Sequence, residues 1–435
     1  MKKLFVLLFV LIVTATLFAG GGGQQAAPAS PGAAAPAQQK EIRVVLSNTS
    51  YAELVLKNAI PEFEKQNPNI KVNWESLQEA QLTQKLTAEF ATGVSSIDVF
   101  MTRPLQEALL FNKNGWYAPL DDFDFSDFPP STVELGRWNG KPHVVPIITE
   151  WQVLYYRKDL FEKAGLKVPT NFTELENAAK VLTADGVSGF SARGAGPAAV
   201  TQLSSYIYNH GGKYLDNNVA VFDKPEAMEA IRFYGRMLGN YGPQGITGLS
   251  WENIIPVFQA GRTAMFTDAS SMCGQILDAT KTQIPIENMG VAKLPAGPKG
   301  DSPYLVVAWA IAISSRTKDM ESSKKFLNWA TSKELYLRGI AANVTLARNS
   351  VWEDKTATAA MNPGLVETMK HASANGNPLD RPFMTSVVKA RDLIGEVIIE
   401  SINTKGESPR LQALATQKVN EVNDLLKADG EYGGK

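Results

Sequence analysis

The stretch Trp138–Thr183, WNGKPHVVPIITEWQVLYYRKDLFEKAGLKVPTNFTELENAAKVLT, decides how the rest of the chain is read. It opens on a turn, Trp138-Asn-Gly-Lys-Pro142, and enters an apolar extended segment from Val144 to Tyr156. A short basic helix follows, Arg157 to Ala164, stopped by Gly165. Pro169-Thr170 then precedes Asn171 and Glu174, three residues apart, the spacing of a helix-capping box. The next helix places Leu175, Ala178, Ala179 and Leu182 on one face.

Upstream, short apolar segments alternate with amphipathic ones. Strands are expected at Ile42–Leu46, Ile70–Trp74 and Ile97–Met101, and helices at Tyr51–Gln66, at Glu79–Thr92 and from Pro104 to Gly115. This alternation predicts βαβ units and a parallel sheet in a first lobe reaching to about Thr149. Downstream, the pattern predicts a helix carrying Ala227, Ile231, Tyr234 and Leu238 and ended by Gly239. It also predicts a helix Trp251–Ala260, a strand Thr263–Thr267 and a helix Ser270–Lys281. Tyr304 to Ile313, YLVVAWAIAI, reads as a strand buried on both faces. The last part is helical, with a long run from Arg381 to Ile402.

Length and composition set the bounds. The 435 residues are more than one core needs and suit two lobes. With 43 basic and 44 acidic residues the chain lacks the basic excess of a nucleic-acid binder. A single cysteine, Cys273, excludes an intrachain disulfide framework and reads as a buried thiol. At the N-terminus Lys2 and Lys3, the apolar run Leu4–Val13 and the small residues Ala15–Gly23 form an export signal, residues 1–23. Leu17-Phe-Ala-Gly20 has glycine where a lipoprotein signal carries its lipid-bearing cysteine, so a lipid anchor is not expected and release after cleavage is favoured. Residues 24–40, rich in Ala, Pro and Gln, read as a tether.

The central stretch closely resembles the extracellular solute-binding proteins of bacterial ABC importers, in the maltose-binding-protein-like group that takes sugars and sugar alcohols. The shared pattern is W-x-G-K at Trp138–Lys141, V-P at Val145-Pro146, the run Leu154 through Leu166, and Pro169 onward. Further matching pieces are Asn67-Pro-Asn-Ile70, Asp98-Val-Phe100, Gly115 to Asp121, Phe258 to Met265 and Phe326 to Trp329. The resemblance implies an α/β fold of two lobes, each a mainly parallel sheet flanked by helices, with the ligand cleft between them. It also implies three crossings between lobes, near Thr149–Gln152, Tyr304–Val307 and Leu346–Ser350. The lobes would then be residues 41–149 with 304–350, and 150–303 with 351–435.

Enzyme signatures are absent from the motifs. The three histidines, 143, 210 and 371, show neither an H-E-x-x-H nor a zinc spacing. Gly189-Phe-Ser-Ala-Arg193 has arginine where a nucleophile elbow needs glycine, and no phosphate-binding G-x-x-x-x-G-K occurs. A sugar site instead needs flat aromatic faces and planar polar side chains. Asn48, Gln78 and Arg103 follow expected strands, at the carboxyl ends where open α/β sheets bind ligands. Trp151 and Trp309 stand at implied crossings, with Glu150 beside the first. Trp251 opens a helix, Arg193 lies among small residues, and Asp268 follows a strand, where ligand contact and helix capping are equally open. Arg381, in Leu-Asp-Arg-Pro-Phe, resembles an Asp-Arg-Pro of some polyol- and sugar-binding relatives.

The sequence therefore predicts a monomeric, exported protein that binds a carbohydrate or polyol and delivers it to ABC permease subunits, without metal, cofactor or nucleic acid. An exported glycoside-active enzyme and a sugar receptor for signalling are the alternatives.

Overall fold

A computed structural model describes residues 39–94 and 96–434, so the expected export signal and nearly all of the expected tether lie outside the described residues. The first strands are β1 (Lys40–Ser47), β2 (Ile70–Leu77) and β3 (Val99–Thr102), with β1 parallel to both neighbours. The helix Glu79–Ala91 buries Leu82, Leu86 and Phe90, the four-residue spacing that lays one stripe on the core.

The strand β4, Val145–Arg157, is 13 residues long and changes partners midway. Three later strands meet it: β5 (Met265–Ala269), β6 (Met289–Lys293) and β7 (Leu305–Ile313). Its first half pairs antiparallel with β7, from Val145↔Ile311 to Trp151↔Leu305. Its second half pairs antiparallel with β5, from Gln152↔Ala269, and with β6, from Val153↔Lys293. The strand β7 then joins β3, Ile313 opposite Val99. The order is β6-β4-β7-β3-β1-β2, with β5 also on β4.

Among these strands parallel pairing is confined to β2-β1-β3, with isolated parallel bridges such as Ser188↔Thr263 and Ser191↔Phe266 beside β5, and the sheet is mixed where mainly parallel lobes were expected. The reason is directional. A strand leaving one half of the sheet and a strand returning to it run in opposite senses, so β4 and β7 can pair only antiparallel. From Val306 to Ile313 every residue of β7 is buried, as its unbroken apolar sequence predicts.

Three segments depart from their predicted limits. The expected helix 270–281 is a 3₁₀ turn, Ser270–Met272, and one short helix, Cys273–Ile276. Beyond it the Asp278 carboxylate accepts the Thr280 N–H (2.9 Å) and hydroxyl (2.6 Å), a turn that competes with helix. The long C-terminal helix begins only at Val387 and runs to Asn403, leaving Arg381 and Pro382 in irregular chain. At Asn171 the side chain caps the helix Phe172–Leu182 as predicted, accepting Glu174 N–H at 2.9 Å; the Glu174 carboxylate returns to Thr170, one residue earlier than in a capping box.

Gly239 does not end its helix, which runs on as Pro225–Tyr241. Its role is proximity. A Cβ at Gly239 would stand 2.5 Å from the Ile402 carbonyl oxygen, and one at Gly235, a turn earlier, 2.1 Å from Ser401 Oγ and 2.6 Å from the Ser401 backbone. The pair lets this helix press against Val387–Asn403. Gly235→Ala is expected to destabilise the protein by about 1–3 kcal/mol through overpacking, read from chemical denaturation. A change within a few tenths would show that the helices separate freely.

Candidate functional site

Side chains alternate along a strand, so β4 presents Glu150 and Trp151 to opposite faces. Glu150 lines a small polar cavity, ≈ 30 Å³, between segments from both halves of the sheet. Thr49 and Ser50 enter it after β1, Glu79 after β2, Arg103 after β3, and Ala308 and Trp309 from β7. Arg193, Thr201, Trp251, Ser271, Met272, Gln275 and Arg381 complete the lining.

Each arginine is held from behind by a carboxylate. Arg193 is fixed by Asp268, with Nε 3.0 Å from Oδ2 and Nη2 2.6 Å from Oδ1. Asp268 is wholly buried and also accepts Gln202 Nε2 at 2.9 Å. Burial acts against the Arg193 charge, but Asp268, together with Glu79 and Tyr304, outweighs it and raises the guanidinium pKa well above its ordinary value. The position of Arg193 depends on its neighbour, because a Cβ at Gly194 would meet the Ile246 carbonyl oxygen at 2.1 Å.

Arg103 precedes the helix Pro104–Lys113, whose first position is the proline. Its guanidinium pairs with Glu79, with Glu107 Oε1 at 2.8 Å and with the Thr83 hydroxyl at 2.5 Å, and lies 5.3 Å from the centre of the Trp309 ring. Arg381 pairs with Asp380, Nε to Oδ1 2.8 Å. Its Nη1 and that of Arg391 both donate to Gln106 Oε1 at 2.7 Å. Trp251 is the first residue of the helix Trp251–Gln259, set by reciprocal capping between Ser250 and Asn253.

The two carboxylates facing the cavity are driven apart. Burial works to raise Glu79, yet Arg103, Arg391, Arg193 and Arg381 overcome it and hold the carboxyl at about 2. Burial raises Glu150 to about 7, against the pull of Arg193, and the Ser271 hydroxyl donates to it at 2.8 Å. The cavity therefore offers fixed cationic donors, one firmly ionised carboxylate, one that exchanges its proton near neutrality, hydroxyls and two indole faces. That set matches a polyhydroxylated molecule.

Of the residues singled out from sequence, Arg103, Glu150, Arg193, Trp251, Trp309 and Arg381 meet at this cavity. Asp268 stands behind Arg193, and Gln78 lies on a neighbouring opening that shares Glu79, Arg103 and Trp251. Asn48 is adjacent, its carbonyl accepting Gln275 Nε2 at 3.3 Å, while Thr49 and Ser50 take the lining positions. Trp151 is turned to the back of the sheet, where its Nε1 donates to Thr368 Oγ1 at 3.0 Å and its ring packs 6.4 Å from Trp352. Glu150 on the front excludes it from the cavity. Glu79 was missed, although it follows Gln78 at the end of β2. Ser271, Met272 and Gln275 were concealed by the helix expected over 270–281, and Thr201 carries no sequence signal.

A two-lobed α/β fold with a polar cavity built from both lobes defines a ligand-binding protein. The chain belongs to the bacterial extracellular solute-binding proteins, whose family pattern matches residues 47–336. The mannitol-binding protein of Pseudomonas aeruginosa is 30% identical over 282 residues, 62% of this chain and 64% of that protein, so just under two thirds of the relative's length is matched. A solute-binding protein of Agrobacterium vitis S4 with bound D-mannitol has a TM-score of 0.79 at 25% identity, covering 90% of this chain and 99% of that one. Maltose-bound MalE3 of T. maritima gives 0.79 at 26% identity, covering 89% and 100%.

Glu150 generates a pH prediction. Its carboxyl keeps the proton to about 7 when folded but only to 4.5, its ordinary value, once unfolded. Between these the folded state binds more protons, so this group's contribution to stability falls as pH rises from 4.5 through about 7. Glu150→Gln stays neutral and removes that loss, which reaches about 3 kcal/mol. Denaturation at pH 5 and pH 8 should show the variant gaining on the parent at the higher pH. Equal pH profiles would mean that Glu150 is ionised throughout.

Proposed function

We propose that this protein binds a carbohydrate (a sugar, polyol or short oligosaccharide) outside the cytoplasmic membrane and delivers it unchanged to the transmembrane subunits of an ABC importer. The observation that carries this reading is the convergence of Arg103, Arg193 and Arg381, each braced by a carboxylate, with Trp251 and Trp309 in one cavity between lobes. The sugar and polyol ligands of the mannitol- and maltose-binding relatives support it.

In this reading the lobes are residues 41–149 with 304–350 and 150–303 with 351–435, and β4 and β7 are part of the hinge. Glu79, Arg103 and Trp309 contact the ligand from the first lobe. Glu150, Arg193, Trp251 and Arg381 contact it from the second, with Asp268 holding Arg193 in place. A ligand touching both lobes favours the closed arrangement by its extra affinity for it. The protein works as a monomer, and no covalent step is involved.

Thermal denaturation against sugars, polyols, amino acids and peptides tests the reading. A carbohydrate at a hundred times its Kd should stabilise the protein by about 2.7 kcal/mol and be recovered intact. Trp251→Ala should weaken binding about tenfold, since an aromatic face contributes ~1–1.5 kcal/mol. Consumption of the carbohydrate would replace this reading with an enzyme. Stabilisation by amino acids or peptides alone would replace the ligand class.

A further inference from the structure

The helix Pro104–Lys113 packs on β3 and β7, while Val387–Asn403 packs on the helices Gly196–Asn209 and Pro225–Tyr241. In the proposed division these two helices belong to different lobes, yet side chains join them directly. Gln106, buried, accepts from Arg381 and Arg391 across the gap. Lys113 lies two helical turns further along the same face. Its Nζ donates to Thr385 Oγ1 at 2.7 Å and pairs with Glu431 Oε1 at 2.9 Å.

Glu431 follows the helix Leu411–Ala428 and is fixed from its own side. Its Oε2 accepts the Thr385 N–H at 3.0 Å and its Oε1 the Thr385 hydroxyl, while Asp429 Oδ2 accepts the Ser386 N–H at 3.0 Å. The Thr385 hydroxyl thus takes a proton from Lys113 and gives its own to Glu431. Burial works to raise the Glu431 carboxyl, but Thr385 and Lys113 outweigh it and hold its pKa below the ordinary value, so the group is charged at neutral pH. The Lys113 side chain is 37% exposed and that of Glu431 19%, so dissolved ions reach the pair. All three residues stand apart from the cavity lining.

We propose that Lys113, Thr385 and Glu431 form a clasp between the lobes that strengthens carbohydrate binding without touching the ligand, and that makes affinity for an uncharged ligand fall as salt rises. This rests on the carbohydrate-binding reading and on its division into lobes. A contact made when the lobes are together favours the closed arrangement with or without ligand. It tightens apparent binding by raising the share of molecules able to bind. An ion pair this exposed changes that share by a factor of about two to five. Salt at roughly 1 M, where the Debye length is about 3 Å, removes most of the effect.

The test is calorimetric titration of the whole protein with D-mannitol and with maltose at low salt and at about 1 M salt, together with small-angle scattering of the unliganded protein at low salt. For whichever ligand binds, the parent's affinity should fall about threefold at high salt. Lys113→Met should start about that much weaker and stay flat. Lys113→Glu sets a carboxylate against Glu431, so it should be weaker still at low salt and gain affinity as salt is added. A general loss of stability would not reverse that sign. Lys113→Glu should also show a larger radius of gyration than the parent. The same salt dependence in all three proteins overturns the clasp while leaving carbohydrate binding intact. Should neither ligand bind, scattering decides: equal radii of gyration for the parent and Lys113→Glu overturn the clasp, and a larger one in the variant upholds it.

Discussion

A strand shows successive side chains to opposite faces, and β4 keeps that alternation through 13 residues while passing from one set of partners to another. The rest of the site depends on this constraint. With Glu150 on the cavity side, Trp151 is fixed on the back, against Trp352 and Thr368. The same region of β4 is tied on to a third piece of chain. Thr149 donates its N–H to the Thr345 carbonyl at 3.0 Å and accepts the Thr345 hydroxyl at 2.5 Å, while Ala347 N–H reaches the Ile147 carbonyl at 2.9 Å. Three distant segments are therefore hydrogen-bonded at one level, around 147–151, 305–309 and 345–347.

The elements were legible where local physics dominates. Apolar periodicity, Pro104 and Pro225 at helix starts and Asn171 at a cap located most strands and helices, because those signals act within a few residues. The strand-end logic located Arg103, and it pointed beside Thr49, Ser50 and Glu79 through Asn48 and Gln78. Resemblance to sugar-binding proteins supplied the two-lobed architecture, which periodicity alone does not contain. What sequence concealed is long-range. Arg193 and Asp268 are separately visible as polar residues among small and apolar ones, yet their pairing joins distant parts of the chain. Glu150 and Trp151 were both assigned to the ligand, although neighbours on one strand cannot share a face. Gly239 looked like a stop because glycine often is one; its use as a contact point appears only when Val387–Asn403 is packed against it.

Buried ion pairs are poor stabilisers, since desolvation offsets most of the attraction. Their concentration here has a better explanation in recognition. Arg193 and Asp268 are nearly or wholly removed from solvent, at 4% and 0% exposure, and Arg103 and Arg381 are buried at their own carboxylates. The cost of dehydrating these groups is met during folding, and the carboxylates fix where the remaining N–H donors point. A neutral hydroxylated ligand then meets oriented charges without reorganising them. Hydrogen bonds to charged groups contribute about 1.5–3 kcal/mol each, against about 8 kcal/mol for micromolar binding after ordering costs. Three or four such bonds with one stacked ring reach that range. Arg103, Arg193, Arg381 and Arg391 stand among Glu79, Glu107, Asp268 and Asp380, a charge balance that suits the neutral ligand of the proposed reading.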